Sequence, residues 1–286
     1  MKKFSLFALS ITAVSSALIS LILRLICTLC FYNGGYYDKG AILPVVADVL
    51  FILAIAVFLL TSIFCVKREA LVSAPRKISR YFAILPMGAS IFCAAQTVTK
   101  LSLADEAEGT QFLPIAILVC SVVSAVFFFL IFYAPKQKIA ATYCGLGAVA
   151  LVFFAWISSY FDFSSPINSV DRDLFYVSCG AAMLFIFNEI CAIYGSVKSK
   201  FYYFSIFTAI FATATSAIPA LIGFANDKID GYSNLEGDVF LTAILIYATV
   251  RVISLAKTKE ASPTAPETEI AEKSEEIEQK EPSETE

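Results

Sequence analysis

Residues 112–134 read FLPIAILVCSVVSAVFFFLIFYA, an unbroken run without a charge. A helix gains about 1.5 Å per residue, and a bilayer core about 30 Å thick needs about 20 apolar residues to cross it. The run is long enough. Its inner part, Val126-Phe127-Phe128-Phe129-Leu130-Ile131-Phe132, does not alternate as a membrane barrel strand would. It reads as a spanning helix.

Working outward, seven more stretches read the same way: 4–30, 41–66, 81–100, 139–161, 174–196, 201–225 and 238–256. The whole chain of 286 residues is 58% hydrophobic and 16% charged. Soluble domains sit near 45–50% and about 25%. One globular core cannot absorb that excess; a bilayer can. The expected fold is all-α: a polytopic transmembrane bundle of about eight spans in four antiparallel hairpins. The expected domains are a transmembrane domain, 1–258, and a tail, 259–286. The first span follows Met1-Lys2-Lys3 and resembles a signal peptide at its start. Its apolar run exceeds the usual 7–15 residues of a signal core, so it reads as an uncleaved span.

The charges are sorted by loop. One set of loops carries Lys2, Lys3, Lys67, Arg68, Arg76, Lys77, Arg80, Lys136, Lys138, Lys198, Lys200, Lys257 and Lys259. The other carries Asp38, Asp105, Glu106, Glu108, Asp162, Asp171, Asp173, Asp227, Asp230, Glu236 and Asp238, with only Lys39, Lys100, Arg172 and Lys228 as bases. Short loops rich in Lys and Arg face the cytoplasm. Both termini are therefore expected inside, in the cytoplasmic membrane. Aromatic residues cluster near the expected headgroup levels: Trp156, Tyr160 and Phe161 on one side, Tyr133, Tyr194 and Phe201-Tyr202-Tyr203 on the other.

The hairpins show faint self-similarity. Glu108-Gly109-Thr110-Gln111-Phe112-Leu113 resembles Glu236-Gly237-Asp238-Val239-Phe240-Leu241. Duplication and chance in a small apolar alphabet both account for it. From Ala261 the chain is rich in Glu, Pro, Ser and Thr. Such a segment cannot offset its chain entropy by burial and is expected to be a disordered cytoplasmic tail. It is either a solvating tail or a docking segment for a basic protein partner.

Charges inside spans are costly, and so they mark structure or function. Arg24 and Asp48 sit at matching depth in the first two spans and make a candidate structural ion pair. Glu189 and Arg251 sit at comparable heights in the sixth and eighth. With Asn188, Gln96 and Lys100 they form the candidate intramembrane polar site, for a small solute or ion. Gln96 and Lys100 share a helix face. Each charge also has a plain reading: pairing that fixes helix register, or snorkelling. Pro86 and Pro219 fall inside spans and predict kinks. Ser/Thr faces in the first and seventh spans, and Ala141-x-x-x-Gly145 with Cys144-x-x-x-Ala148, predict close helix packing.

The chain contains no histidine, the commonest general base and metal ligand. All eight cysteines fall in expected spans, including Cys27-x-x-Cys30. No phosphate loop, hydrolase motif or metal cluster is present, and no basic aromatic groove suggests nucleic acid. No catalytic, cofactor or metal residue is assigned, and the partner that the composition requires is the lipid bilayer. Three functions remain: a solute- or ion-binding protein, a non-transporting scaffold, sensor or accessory subunit, and, least, a membrane enzyme. A solute pathway needs polar side chains around a wet cavity; a scaffold has a dry bundle with its charges paired.

Overall fold

Hydrocarbon offers the backbone no hydrogen bonds, so a chain this apolar closes its own in helices. The structure is a computed structural model. It describes residues 6–33, 36–38, 40–66, 72, 74–103, 112–133, 137–161, 170–226 and 234–260. Among these, eight helical stretches are long and apolar enough to cross a membrane. The protein is an all-α, multi-pass membrane protein. The helices are α1 (Leu6–Phe31), α2 (Ile42–Phe64), α3 (Lys77–Phe82), α4 (Ile84–Leu103), α5 (Phe112–Tyr133), α6 (Lys138–Phe161), α7 (Val170–Tyr194), α8 (Ser199–Ala225) and α9 (Leu235–Glu260). Short α3 and α4 together make the third span. A two-residue antiparallel ladder, β1 (Tyr32–Asn33) and β2 (Tyr36–Tyr37), joins α1 to α2. The segments around Glu108 and beyond Glu260 lie outside the described residues.

The connections define two ends. Lys77, Lys138, Lys198 and Lys200 mark a basic end; Asp38, Asp173 and Glu236 mark an acidic one. The two expected kinks turn out differently. Pro86 lacks an N–H and crowds the carbonyl four residues back, at Phe82. There α3 stops, and the N–H of Ala83 turns to the carbonyls of Arg80 and Tyr81. Pro219 does not interrupt α8. Contacts with α1, α2, α7 and α9 hold α8 along its length.

The core is built around α8. Its apolar window is 83% buried, against 22% for α1 and α2, so α8 is the axis and the first hairpin faces lipid. Small residues make this possible: Ala209, Ala212, Thr213 and Ala217 let neighbours approach. Phe51 of α2 stacks on Phe211 of α8 and Phe58 meets the same ring edge-on, both with centroids 5.4 Å apart. Thr215 of α8 donates to Ser20 of α1 at 3.1 Å, and Ser178 of α7 donates to the Ala212 carbonyl at 2.9 Å. Thr12, on the expected polar face of α1, is exposed and bonds back to Ala8.

A second packing seam joins α5, α6 and α7. A Cβ on Gly145 would stand 2.5 Å from Ile190, and one on Gly147 would stand 2.3 Å from Val123. Ala141 and Ala148 are buried beside them. Phe128 of α5 reaches across to Phe240 and Tyr247 of α9.

Candidate functional site

Two turns in from the basic end, α7, α8 and α9 each supply polar groups to one buried cluster. Glu189 of α7 is 1% exposed and Arg251 of α9 is fully covered. The Arg251 Nε–H donates to Glu189 Oε1 at 2.8 Å. The Tyr247 hydroxyl donates to the same oxygen at 2.9 Å. The Tyr202 hydroxyl, from the first turn of α8, donates to Oε2 at 2.5 Å. Tyr247 and Arg251 are four apart on α9 and therefore share a face. The guanidinium carbon lies 5.8 Å from the Tyr202 ring centroid, within cation–π range. Phe185 packs on both tyrosine rings.

The cluster is neutral overall, with three donors converging on the carboxylate. A buried carboxylate is tolerated only under such conditions. Chemically, the arrangement fixes the rotation of three helices against one another. The short hydrogen bonds leave little space for a solute.

The other candidate residues lie elsewhere. Asn188 donates back to the Leu184 carbonyl of its own helix at 2.8 Å. Adjacent helical residues point about 100° apart, so it diverges from Glu189. Lys100 pairs with Glu236 at the acidic end, joining α4 to α9. Gln96 is one turn before Lys100. Glu236 and Arg251 are 15 residues apart on α9, about 22 Å along the axis. The five residues expected as one site thus occupy two ends of the bundle. Lys100 is parted from the cluster by depth, as its place beside the acidic loops implied. Asn188 is parted from Glu189 by its direction around α7, which hydropathy does not convey.

Arg24 and Asp48 come together, with Nη1 and Oδ1 3.0 Å apart. Arg24 is buried and Asp48 is 37% exposed. The contact is off the hydrogen-bond axis: among the described residues, no Arg24 nitrogen has a hydrogen-bond partner. The guanidinium instead lies 5.2 Å from the Tyr37 ring centroid.

Four residues read as loop or interface groups are structural. Tyr202 and Tyr203, expected in an aromatic belt, are buried, whereas Tyr133, Tyr194 and Phe201 are exposed. Arg172 is buried at the start of α7, where it donates to the Ser159 and Tyr160 carbonyls and to the Tyr176 hydroxyl. Asp238 is buried in the first turn of α9. The four-residue spacing of Tyr247 and Arg251 was a signal for the cluster; Tyr202 gave none, because aromatics at a span end look alike.

At the acidic end a crevice runs between α4, α5, α6, α7 and α9, lined by Cys93, Phe175, Asn234 and Glu236 among others. Its volume is about 20 Å³, room for one water. The Cys93 thiol donates to the Glu236 carbonyl at 3.2 Å. Cys27 and Cys30 are unbridged, one buried and one exposed. Among the described residues, no group of three or more Cys, Asp or Glu is placed to hold a metal. Comparison with protein-family models, curated proteins and solved structures finds no match for the chain.

Proposed function

We propose that this chain is a non-transporting component of the membrane, a scaffold, sensor or accessory subunit, rather than a path for a solute. The saturation of Glu189 carries the reading. Its two oxygens are engaged by Arg251, Tyr247 and Tyr202, all essentially covered. The acidic-end crevice, sized for one water, supports the same reading. On the distribution of Lys and Arg, the basic end faces the cytoplasm of a cytoplasmic membrane, which puts the acidic tail, 259–286, where a protein partner can reach it.

A double-mutant cycle tests this. If Glu189 is structural, Glu189→Gln removes one member of a buried pair and costs about 3–5 kcal/mol. Arg251→Gln added to it then restores part of the loss. Melting of the purified protein in detergent reads both. Glu189→Gln protein that folds with wild-type stability would point to a functional carboxylate and sink the scaffold reading.

A further inference from the structure

Between the end of α2 and the start of α8, at the basic end, lies a groove of about 610 Å³. The polar lining, Ser62, Lys198, Ser199 and Lys200, lies at the helix ends, together with the apolar Ile63, Val197 and Phe201; Leu59 and Phe204, about one turn further in, are both apolar. That is the order of a phospholipid: charge at the interface, hydrocarbon below.

The polar part is suited to an anion. No side chain caps the first turn of α8, and its cap position is Lys198. A helix start carries partial positive charge and poorly satisfied N–H groups. Lys198 is exposed. Lys200 Nζ donates to the Ile63 carbonyl at 2.6 Å, which ties that ammonium to the end of α2. Ser62 supplies an independent sign of a missing partner. It lines the groove, is 1% exposed, and among the described residues its hydroxyl has no hydrogen-bond partner. A buried hydroxyl without one is costly.

The geometry points to an anionic phospholipid held in this groove. Its phosphate meets Lys198, Lys200 and the first turn of α8, and accepts from Ser62. One acyl chain runs along Leu59 and Phe204. A free phosphate would use the same donors and leave the apolar lining bare. Among the described residues α2 packs chiefly on α1 and α8, which leaves a lateral path for a lipid. Such a lipid fits a scaffold or a carrier equally well, so the site stands apart from the function proposed above.

The test is thermal melting of the full chain in detergent, titrated separately with phosphatidylglycerol, phosphatidylcholine and inorganic phosphate. Phosphatidylglycerol should raise the melting temperature saturably, and the other two should not. Lys198→Ala is exposed and folding-safe; it should weaken the apparent phosphatidylglycerol affinity about fivefold, the value of one lysine near a charged lipid. Ser62→Ala should weaken it further while leaving the lipid-free protein folded. An equal shift with phosphatidylcholine would mean a nonselective apolar groove and overturn the proposal. An equal shift with inorganic phosphate would assign the site to the free anion and overturn the lipid. An unchanged phosphatidylglycerol titration in both variants would place the lipid elsewhere.

Discussion

Arg172 sits 2.8 Å from the Tyr160 carbonyl and closes the last turn of α6 from the first turn of α7. Helix ends leave carbonyls without intrahelical donors, and a buried end needs substitutes. One guidinium nitrogen serves both Ser159 and Tyr160, and Nε serves the Tyr176 hydroxyl. Arg172→Gln should lower stability by about 1.5–3 kcal/mol, the range for hydrogen bonds to a charged group. Arg172→Lys should recover only part, because an ammonium cannot reproduce the planar fork. Unfolding in detergent measures both; a wild-type melting temperature for Arg172→Gln would remove this anchor from the account.

The glycines of α6 should be intolerant of a single methyl. Gly145→Ala and Gly147→Ala place Cβ atoms against Ile190 and Val123, so each should cost about 1–3 kcal/mol. Gly180 of α7 has nothing within 4 Å of its Cβ position. Gly180→Ala should be neutral or stabilising by up to about 1 kcal/mol, since alanine is the better helix former. Equal melting of all three variants would contradict the packing described.

These two contrasts show what the sequence could and could not convey. Apolar length revealed the eight spans among the described residues, even where a single charge such as Arg24 or Glu189 interrupts the run, because hydrocarbon thickness is a one-dimensional constraint. Depth was also legible: Arg24 and Asp48 were expected at one level and are 3.0 Å apart. Rotation about the helix axis was not. Asn188 adjoins Glu189 in sequence yet bonds back to Leu184 of its own helix. Arg172 and Asp238 read as loop charges because α7 and α9 begin several residues before their apolar runs. Gly147 carried no small-residue spacing, yet of the described glycines it is where an added Cβ would come nearest a neighbour, 2.3 Å from Val123.

Topology is testable in whole cells with the native cysteines replaced. An impermeant thiol reagent should label Ser165→Cys and should not label Lys138→Cys or Lys77→Cys. The expectation rests on Lys and Arg lying in the loops at one end. Labelling at Lys138→Cys with none at Ser165→Cys would invert the protein in the membrane.

Truncation after Lys259 should leave expression and melting temperature unchanged. The removed segment is acidic and poor in apolar anchors, and it follows the last span. A marked loss of folded protein would mean that the tail packs on the bundle. Unchanged folding with loss of a co-purifying protein would identify the tail as a contact.

The last expectation separates the two tyrosines of the Glu189 cluster. Oε1 of Glu189 receives both Arg251 Nε–H and the Tyr247 hydroxyl. Among the described residues, the hydrogen bond to Oε2 comes from Tyr202. Removing the Tyr247 hydroxyl leaves Oε1 with its arginine; removing the Tyr202 hydroxyl strips a buried carboxylate oxygen of its donor. An unsatisfied buried charged group costs more than the loss of one of two bonds. Tyr202→Phe should therefore destabilise by about 2–3 kcal/mol and Tyr247→Phe by about 1 kcal/mol. Both rings keep their aromatic contacts, so packing changes little. In a Glu189→Gln background the gap between the two variants should shrink, since the amide carries no net charge to leave unsatisfied. Thermal or denaturant melts in one detergent of the wild type, Glu189→Gln and the four tyrosine variants, two in each background, suffice. The reverse order, Tyr247→Phe the worse, would show that the carboxylate is held from the other side and that Oε1 is where the cluster's stability resides.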